Sequence, residues 1–243
     1  MGGSGDDDAG ATPEGGARRR IPSFPPTNRA VDLVGPEGAL EALLEEPPAD
    51  LVAAAVVCHP HPLHGGTMHN KVVYRMARGA LAAGVAALRF NFRGVGRSRG
   101  SHDGGRGEQE DVKAALDFVA RRFPQVPLLA AGFSFGAGVA LRAGVADPRV
   151  RALVAAGTPL SRTSFDFLRR DHRPVLFLHG EQDEFGPLEE VRALARELGP
   201  RARLVVVEGV GHFFAGQLER VKEEVCQFCQ RNFSAGGTRP HHP

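Results

Sequence analysis

Six short apolar runs alternate with amphipathic stretches along most of the chain, and this alternation restricts the fold more than any other feature. The runs cover residues 51–58, 85–90, 128–131, 151–156, 175–178 and 204–207. Their length and nearly unbroken apolar character are typical of strands buried on both faces. Parallel neighbours require crossover connections, so the alternation predicts an α/β fold with a mostly parallel central sheet and helices on both faces.

The stretches between these runs repeat apolar residues at the i, i+3, i+4, i+7 spacing of one helical face. Four such stripes are Val73-Met76-Ala77-Ala80, Val112-Ala115-Leu116-Val119, Leu188-Val191-Ala195-Leu198 and Leu218-Val221-Val225-Phe228. Each stripe predicts a helix packed on the sheet. Two weaker runs, 30–34 and 39–44, flank a Gly-Pro-Glu-Gly turn and predict an antiparallel hairpin at one sheet edge.

The chain of 243 residues is predicted to fold as one domain over residues 29–233. Hydrophobic residues make up 42% of the chain, which suffices for a full core. Residues 1–28 and 234–243 are rich in glycine and proline and hold almost nothing to bury. We therefore expect a disordered leader and a disordered tail, because these segments cannot offset the entropy lost on ordering.

The charge balance and the cysteines restrict the partners and the compartment. A net charge of +2, with acidic and basic residues interspersed, indicates neither a nucleic-acid nor a membrane partner. No apolar run approaches the roughly 20 residues of a membrane span. Three cysteines, an odd number, favour a reducing compartment, so the expected location is the cytoplasm. The basic run 18–20 precedes proline-rich residues, where an export signal would need an apolar stretch.

A serine lies on a glycine-flanked turn between a predicted strand and a predicted helix. The turn follows the run 128–131 and has the sequence Gly132-Phe133-Ser134-Phe135-Gly136. Such a turn holds a hydroxyl up from the sheet, and the glycines let the strand and the helix approach closely. The context predicts Ser134 as a nucleophile, the alternative being a tight turn with an inert serine.

A serine nucleophile requires a base and an orienting acid from other strand ends, in the chain order serine, acid, histidine. His212 lies in a glycine-rich loop after the run 204–207 and is the predicted base, the alternative being a structural histidine. The loop after the run 175–178 supplies the acid. Spacing alone does not choose among Glu181, Asp183 and Glu184.

Two backbone N–H groups are expected to stabilise the oxyanion that forms during acyl transfer. One belongs to Phe135, at the start of the helix that follows the serine. The other is expected in the loop after the run 51–58. Because Pro60 and Pro62 carry no N–H, His61 is the nearest donor there.

The same loop offers a rival hypothesis of a metal site, because it carries His59, His61, His64 and His69. It contains no aspartate or glutamate, whereas hydrolytic metal sites combine histidine with carboxylate. We therefore expect backbone roles for this loop, and neither a metal nor another cofactor.

Two further features each have a structural and a functional interpretation. Cys226 and Cys229 are spaced three apart on the last helical stripe, and without a second pair they favour core packing over zinc binding. Arg93, in the loop after the run 85–90, is either a structural ion-pair partner or a site for an acidic substrate. We expect the ion pair.

Three segments in order carry a family resemblance: Cys58-His59-Pro60-His61-Pro62-Leu63-His64-Gly65-Gly66-Thr67-Met68, Leu88-Arg89-Phe90-Asn91-Phe92-Arg93-Gly94-Val95-Gly96-Arg97-Ser98 and Gly132-Phe133-Ser134-Phe135-Gly136. They resemble the α/β-hydrolase superfamily, and more narrowly small bacterial predicted α/β-fold hydrolases related to dienelactone hydrolases. The resemblance covers about residues 53–214.

This resemblance implies several details that spacing leaves open. In such proteins the acid stands three residues after a His-Gly pair that closes a strand, which implies Asp183. Members with large lids insert a helical domain after the sixth strand, whereas only residues 158–173 are available here, so a minimal lid is expected. Dienelactone hydrolases use a cysteine nucleophile, so Ser134 implies an ordinary carboxylic ester as substrate.

These inferences combine into a serine hydrolase, specifically a carboxylesterase that acts on small-molecule esters through an acyl-enzyme. We expect an apolar substrate pocket lined by Phe92, Phe133 and Phe213. The alternatives are an amidase or peptidase with the same triad, a metal-dependent hydrolase, and a non-catalytic binding protein of the same fold. The natural ester and the oligomeric state stay open.

Overall fold

Eight strands form the central sheet of this computed structural model, which describes residues 29–48 and 50–233. The predicted leader and tail, 1–28 and 234–243, lie outside the described residues. The strands are β1 (Arg29–Gly35), β2 (Gly38–Glu45), β3 (Ala53–Cys58), β4 (Val85–Phe90), β5 (Leu128–Phe133), β6 (Val150–Ala156), β7 (Val175–Gly180) and β8 (Ala202–Val207).

The strand order is β1-β2-β4-β3-β5-β6-β7-β8. β1 pairs with β2, and β2 with β4, in the antiparallel sense, which confirms the predicted edge hairpin. All pairs from β4 through β3 to β8 are parallel. The mostly parallel sheet is therefore confirmed.

Five α-helices cover the two faces of the sheet. They are α1 (Lys71–Ala82), α2 (Arg106–Arg122), α3 (Phe135–Ala146), α4 (Leu188–Leu198) and α5 (Leu218–Phe233). The buried side chains of α1 and α5 join one apolar cluster, whereas those of α2, α3 and α4 join the other. Helices on both faces are thus confirmed, and the four helical stripes lie on α1, α2, α4 and α5.

Burial on both faces explains why the central strands lack an alternating pattern. In β3 the side chains of Ala54 and Val56 enter the cluster under α2 and α3, whereas Ala55 and Val57 enter the cluster under α1 and α5. Successive strand residues point to opposite faces, so both faces need apolar side chains. The sheet accordingly supplies the middle layer of a three-layer core.

Two strands extend past their apolar runs, and both extensions lead into the loops that carry the candidate site. β5 continues through Gly132 to Phe133, which pair with Ala155 and Ala156 of β6. β7 continues through His179 and Gly180 along β8. Backbone hydrogen bonds between neighbouring strands do not depend on side-chain polarity, so β5 and β7 extend beyond the apolar residues by which they were predicted.

The parallel strands β3 to β8 end at one edge of the sheet, here called the carboxyl edge. In parallel sheets this edge collects the loops that bind ligands. The segment after β6, where a lid domain would be inserted, contains only a 3-10 helix, Asp166–Arg170. The carboxyl edge is therefore uncovered by any helical domain among the described residues, as the minimal-lid expectation requires.

Arg93 and the two cysteines of α5 have structural environments. The buried Arg93 guanidinium forms a two-pronged ion pair with Asp111 of α2, with Nη2 2.8 Å from Oδ1 and Nε 3.1 Å from Oδ2. Cys226 and Cys229 are buried free thiols, and Cys229 belongs to the cluster under α1 and α5.

Among the described residues, no helix has the length and apolar character to span a membrane.

Candidate active site

Ser134 occupies a strained turn between the end of β5 and the start of α3. Its φ and ψ are 56° and −123°, a conformation that residues with a side chain rarely adopt. A Cβ on Gly132 would overlap the Gly136 carbonyl, and a Cβ on Gly136 would overlap the His59 carbonyl. Only glycine fits at both positions, so this backbone is the tight elbow predicted from the strand–turn–helix context.

A line of hydrogen bonds connects Ser134, His212 and Asp183. Ser134 Oγ lies 2.8 Å from His212 Nε2. His212 Nδ1 lies 2.8 Å from Asp183 Oδ2 and 3.0 Å from Oδ1. An ionised carboxylate only accepts, so Nδ1 carries the proton and Nε2 is free to accept the serine proton. The three side chains come from the ends of β5, β7 and β8 and meet at the carboxyl edge.

The environment of Asp183 keeps the carboxyl group ionised. Burial alone would raise its pKa, but the hydrogen bond and charge of His212, together with the Phe185 N–H, hold the pKa below its usual range. Oδ1 also accepts from the N–H groups of Phe185 at 2.9 Å and Gly186 at 3.2 Å. Backbone donors to a carboxylate favour its charged form.

The structure separates the three carboxylates that spacing left open. Asp183 alone among them contacts the His212 ring in the described residues. Glu184 accepts from the His212 backbone N–H at 3.2 Å, and Glu181 accepts from the Gly209 N–H at 2.9 Å. All three therefore hold the histidine loop, but each at a different atom.

Aromatic rings and a glycine fix the orientation of the His212 ring. Phe133 packs on one side, with ring centroids 4.9 Å apart, and Phe185 lies 4.7 Å away. A Cβ on Gly157, at the end of β6, would lie 2.9 Å from His212 Cε1. The glycine thus leaves the space that the imidazole occupies.

Both predicted oxyanion donors border the cleft above Ser134. As the first residue of α3, Phe135 has an N–H without an acceptor inside the helix. No hydrogen bond to another described residue uses the His61 N–H, and His61 lines the cleft. The N-terminus of α3 also faces Ser134, and its dipole favours negative charge there.

His59 fastens the loop that carries His61. Its ring is fully buried, with Nδ1 donating to the Pro60 carbonyl at 2.7 Å and Nε2 accepting from the Phe92 N–H at 3.0 Å. Burial lowers its pKa to about 4, so the ring is neutral and both nitrogens are used. His59 therefore ties the loop after β3 to the loop after β4.

The cleft above Ser134 has a volume of about 520 Å³. Phe213 lines it and is 56% exposed. The other two phenylalanines predicted to line the pocket do not: Phe92 and Phe133 are fully buried beneath its floor. Phe92 packs against His59, and Phe133 supports His212. All three phenylalanines lie in or beside the loops of the site in the sequence, and this position does not show whether a ring lines the cleft or is buried below it.

The histidine-rich loop does not bring its side chains together as metal ligands. Both His59 nitrogens are engaged within the protein, and His61 Nδ1 accepts from the Leu63 N–H at 3.3 Å. His61 and His64 stack with ring centroids 4.6 Å apart. Within residues 29–48 and 50–233, no group of three or more His, Cys, Asp or Glu side chains has an arrangement that could hold a metal ion.

Four residues of this site carry little or no sequence signal for their roles. The sequence offers His59 as a potential metal ligand but does not indicate that its ring joins two loops, and nothing in it marks Gly157 as the residue that leaves space for His212. Phe185 and Arg162 both border the cleft, but neither belongs to a motif. A glycine directly after a buried strand is the one signal that could have drawn attention to Gly157.

Comparison with known proteins agrees with this architecture. The model of the family described as "Alpha/beta hydrolase domain" matches residues 54–234. The uncharacterized protein RP471 of Rickettsia prowazekii (strain Madrid E) is 33% identical over 200 residues, covering 79% of this chain and 84% of that protein.

Two similar solved structures extend the comparison to three dimensions. An alpha-beta serine hydrolase homologue from Coxiella burnetii is 38% identical with a TM-score of 0.78, covering 85% of this chain and 99% of that one. XC6422 from Xanthomonas campestris, described as a member of a/b serine hydrolase without lid, is 35% identical with a TM-score of 0.79, covering 89% and 100%. The chain therefore belongs to the α/β-hydrolase domain family and, within it, to the serine hydrolases.

Proposed function

We propose that this serine hydrolase is a carboxylesterase that cleaves small-molecule esters with Ser134, His212 and Asp183 as its triad. The observation that carries the proposal is the hydrogen-bonded line from Asp183 through His212 to Ser134 Oγ, at 2.8 Å for each closest contact. The line ends beneath a cleft of about 520 Å³, a size suited to a small molecule.

The proposed reaction begins with proton transfer from Ser134 Oγ to His212 Nε2 as Oγ attacks the ester carbonyl carbon. Asp183 holds the imidazole in the required tautomer and stabilises the imidazolium that forms. The N–H groups of His61 and Phe135 donate to the oxyanion of the tetrahedral intermediate. His212 then protonates the leaving alcohol, and the C–O bond to it breaks.

The resulting acyl-enzyme is hydrolysed by the reverse sequence of proton transfers. Water loses a proton to His212 and attacks the acyl carbon, and Ser134 leaves with that proton. The uncovered carboxyl edge supports this step, since water reaches the acyl group without the opening of a lid domain. The products are a carboxylic acid, an alcohol and the free enzyme.

The proposal is tested with the wild type, Ser134→Ala and the matched variant Ser101→Ala. Ser101 is exposed and does not line the cleft, so its hydroxyl serves as a control. We expect a fluorophosphonate probe to label the wild type and Ser101→Ala but not Ser134→Ala. Hydrolysis of p-nitrophenyl acetate and butyrate should follow the same pattern, and equal labelling of all three proteins would contradict the proposal.

Two further arms of the assay separate the remaining chemical alternatives. Matched aminoacyl p-nitroanilides and p-nitrophenyl esters distinguish an amidase from an esterase, and we expect faster turnover of the esters. Activity in the presence of a chelator tests the metal-dependent alternative. We expect full activity there, because the proposed mechanism takes its nucleophile from Ser134 and its proton acceptor from His212.

A further inference from the structure

The cleft above Ser134 has an unbalanced set of charged side chains. None of its lining residues is an aspartate or a glutamate, and its ionisable members are His61, His64, Arg162 and His212. Burial and the neighbouring His64 and His102 lower the pKa of His61. Arg162 is thus the one side chain of the described lining that is charged at every working pH.

Arg162 has no anionic partner among the described residues. Its guanidinium contacts the Phe185 ring, with Cζ 5.6 Å from the ring centroid, and its positive charge also contributes to the lowered pKa of His61. Many other arginines of the chain, such as Arg93, Arg149 and Arg169, form ion pairs with carboxylates. Arg162 is exposed at the cleft, and no hydrogen bond from its guanidinium to another described residue is present.

The segment that carries Arg162 is held beside the catalytic histidine. Ser161 Oγ donates to the Phe185 carbonyl at 2.6 Å, and the Arg162 N–H donates to the Pro159 carbonyl at 3.0 Å. Phe185 in turn packs against the His212 ring. The guanidinium is therefore one aromatic ring away from His212, within the reach of a small substrate at Ser134.

Carboxylates that neighbour cleft-lining residues are engaged by other groups. Asp183 pairs with His212, and Glu184 accepts from the His212 backbone N–H. Glu108 is fully buried and accepts from the N–H groups of Asp103 and Gly105, with His102 Nδ1 2.7 Å away. An unpaired guanidinium that lines the same cleft as the nucleophile, in the absence of acidic lining residues, attracts an anionic ligand.

We infer that the preferred substrates are esters that carry a carboxylate, and that Arg162 binds this carboxylate while the ester carbonyl lies at Ser134. This inference rests on the proposed esterase function and specifies its substrate class. The guanidinium fork matches the geometry of a carboxylate and forms charge-assisted hydrogen bonds with it. Arg162 is a binding residue in this scheme and takes no part in proton transfer.

The test uses two pairs of esters, and within each pair one member carries a carboxylate where the other carries a neutral methyl ketone of similar size. Monomethyl glutarate carries its carboxylate on the acyl side, and methyl 5-oxohexanoate replaces that carboxylate with a methyl ketone. Acetoxyacetate carries its carboxylate on the alcohol side, and acetoxyacetone is its neutral counterpart. Each ester consumes one water and releases one acid and one alcohol, so a pH-stat follows all four.

We expect the wild type to prefer the anionic member of at least one pair by about tenfold in kcat/KM, the lower range for a charge-assisted hydrogen bond. Arg162→Gln should remove this preference, so that kcat/KM for the anionic ester falls to the value for its neutral counterpart in the same variant. Arg162→Lys should retain part of the preference. Arg170→Gln, which removes an equal charge from the same exposed segment outside the cleft, should retain all of it.

Each result has a defined meaning. Preference in the first pair places the anion on the acyl side, and preference in the second places it on the alcohol side. Hydrolysis of the neutral esters without preference in either pair overturns the inference but leaves the esterase proposal intact. A preference that survives Arg162→Gln overturns the assignment to Arg162. Failure to hydrolyse any ester, together with no fluorophosphonate labelling, would instead reject the esterase proposal.

Discussion

Protonation of His59 should make the stability of this protein depend strongly on pH. Burial lowers its pKa to about 4 in the folded chain, against an ordinary value of 6.5. Between these values the unfolded chain binds a proton that the folded chain does not. The free energy of unfolding therefore falls as the pH is lowered through this window, and the contribution is fully present above it.

The size of this effect follows from the two pKa values of His59. Lowering the pH from about 7.5 to about 5 should cost about 2 kcal/mol of stability through this residue alone. His179, whose pKa burial also lowers, contributes with the same sign. The wild type thus loses stability for more than one reason, and a variant of His59 is needed to isolate its share.

The assay is urea unfolding of the wild type and His59→Gln at both pH values. Glutamine does not titrate, and it offers an acceptor for the Phe92 N–H that Nε2 now receives. The variant is expected to be less stable at the higher pH but to lose about 2 kcal/mol less than the wild type on acidification. His172→Gln, at an exposed histidine, should lose as much as the wild type. Equal losses in the wild type and His59→Gln would refute the reasoning.

Three further predictions concern the serine elbow and the histidine. Asp183→Asn should lower kcat by about 10⁴-fold with little change in KM in steady-state kinetics. The asparagine oxygen would keep the Phe185 and Gly186 N–H groups, so that its NH₂ would face His212 Nδ1 and favour the wrong tautomer of the imidazole. A kcat near that of the wild type would contradict this prediction. Gly157→Ala should lower kcat by about 10²-fold in the same kinetics, because the new Cβ would lie 2.9 Å from His212 Cε1 and displace the ring. Gly209 has a similar φ but open space around it, so Gly209→Ala should leave kcat unchanged. Ser134→Gly should abolish activity but raise the free energy of unfolding in urea by about 1 kcal/mol, because glycine relieves the strain at φ 56°. Ser134→Ala keeps a Cβ and should not be stabilised, so equal stability of the two variants would argue against strain.

The fold follows from local patterns because those patterns state which faces of each element are buried. The apolar runs of β3 to β7 and the stripe of α1 need no knowledge of distant residues to be assigned. The limits of β5 and β7 were less well predicted, because their last residues are held by backbone pairing with neighbouring strands. Hydrophobicity does not report such pairing.

The candidate site divides in the same way. The glycines around Ser134 mark the elbow because no other residue fits the turn. The choice of Asp183 over Glu181 and Glu184 needed either family resemblance or coordinates, since the contact joins residues 29 positions apart. The expected role of Phe92 and Phe133 in the pocket was wrong, because the sequence does not state on which side of the cleft floor a ring lies.

The sequence by itself determined the succession of strands and helices along the chain, the serine elbow and the loops at the strand ends. These features depend on local periodicity and on glycine at strained positions. Only the tertiary structure decided which side chains meet. It placed Asp183 against His212 and joined the loop of His59 to the loop of Phe92 through a hydrogen bond. It also left Arg162, which lines the cleft, without an anionic partner among the described residues. The physical reason is that hydrogen bonding, burial and electrostatic pairing depend on distances through space, which spacing along the chain does not specify.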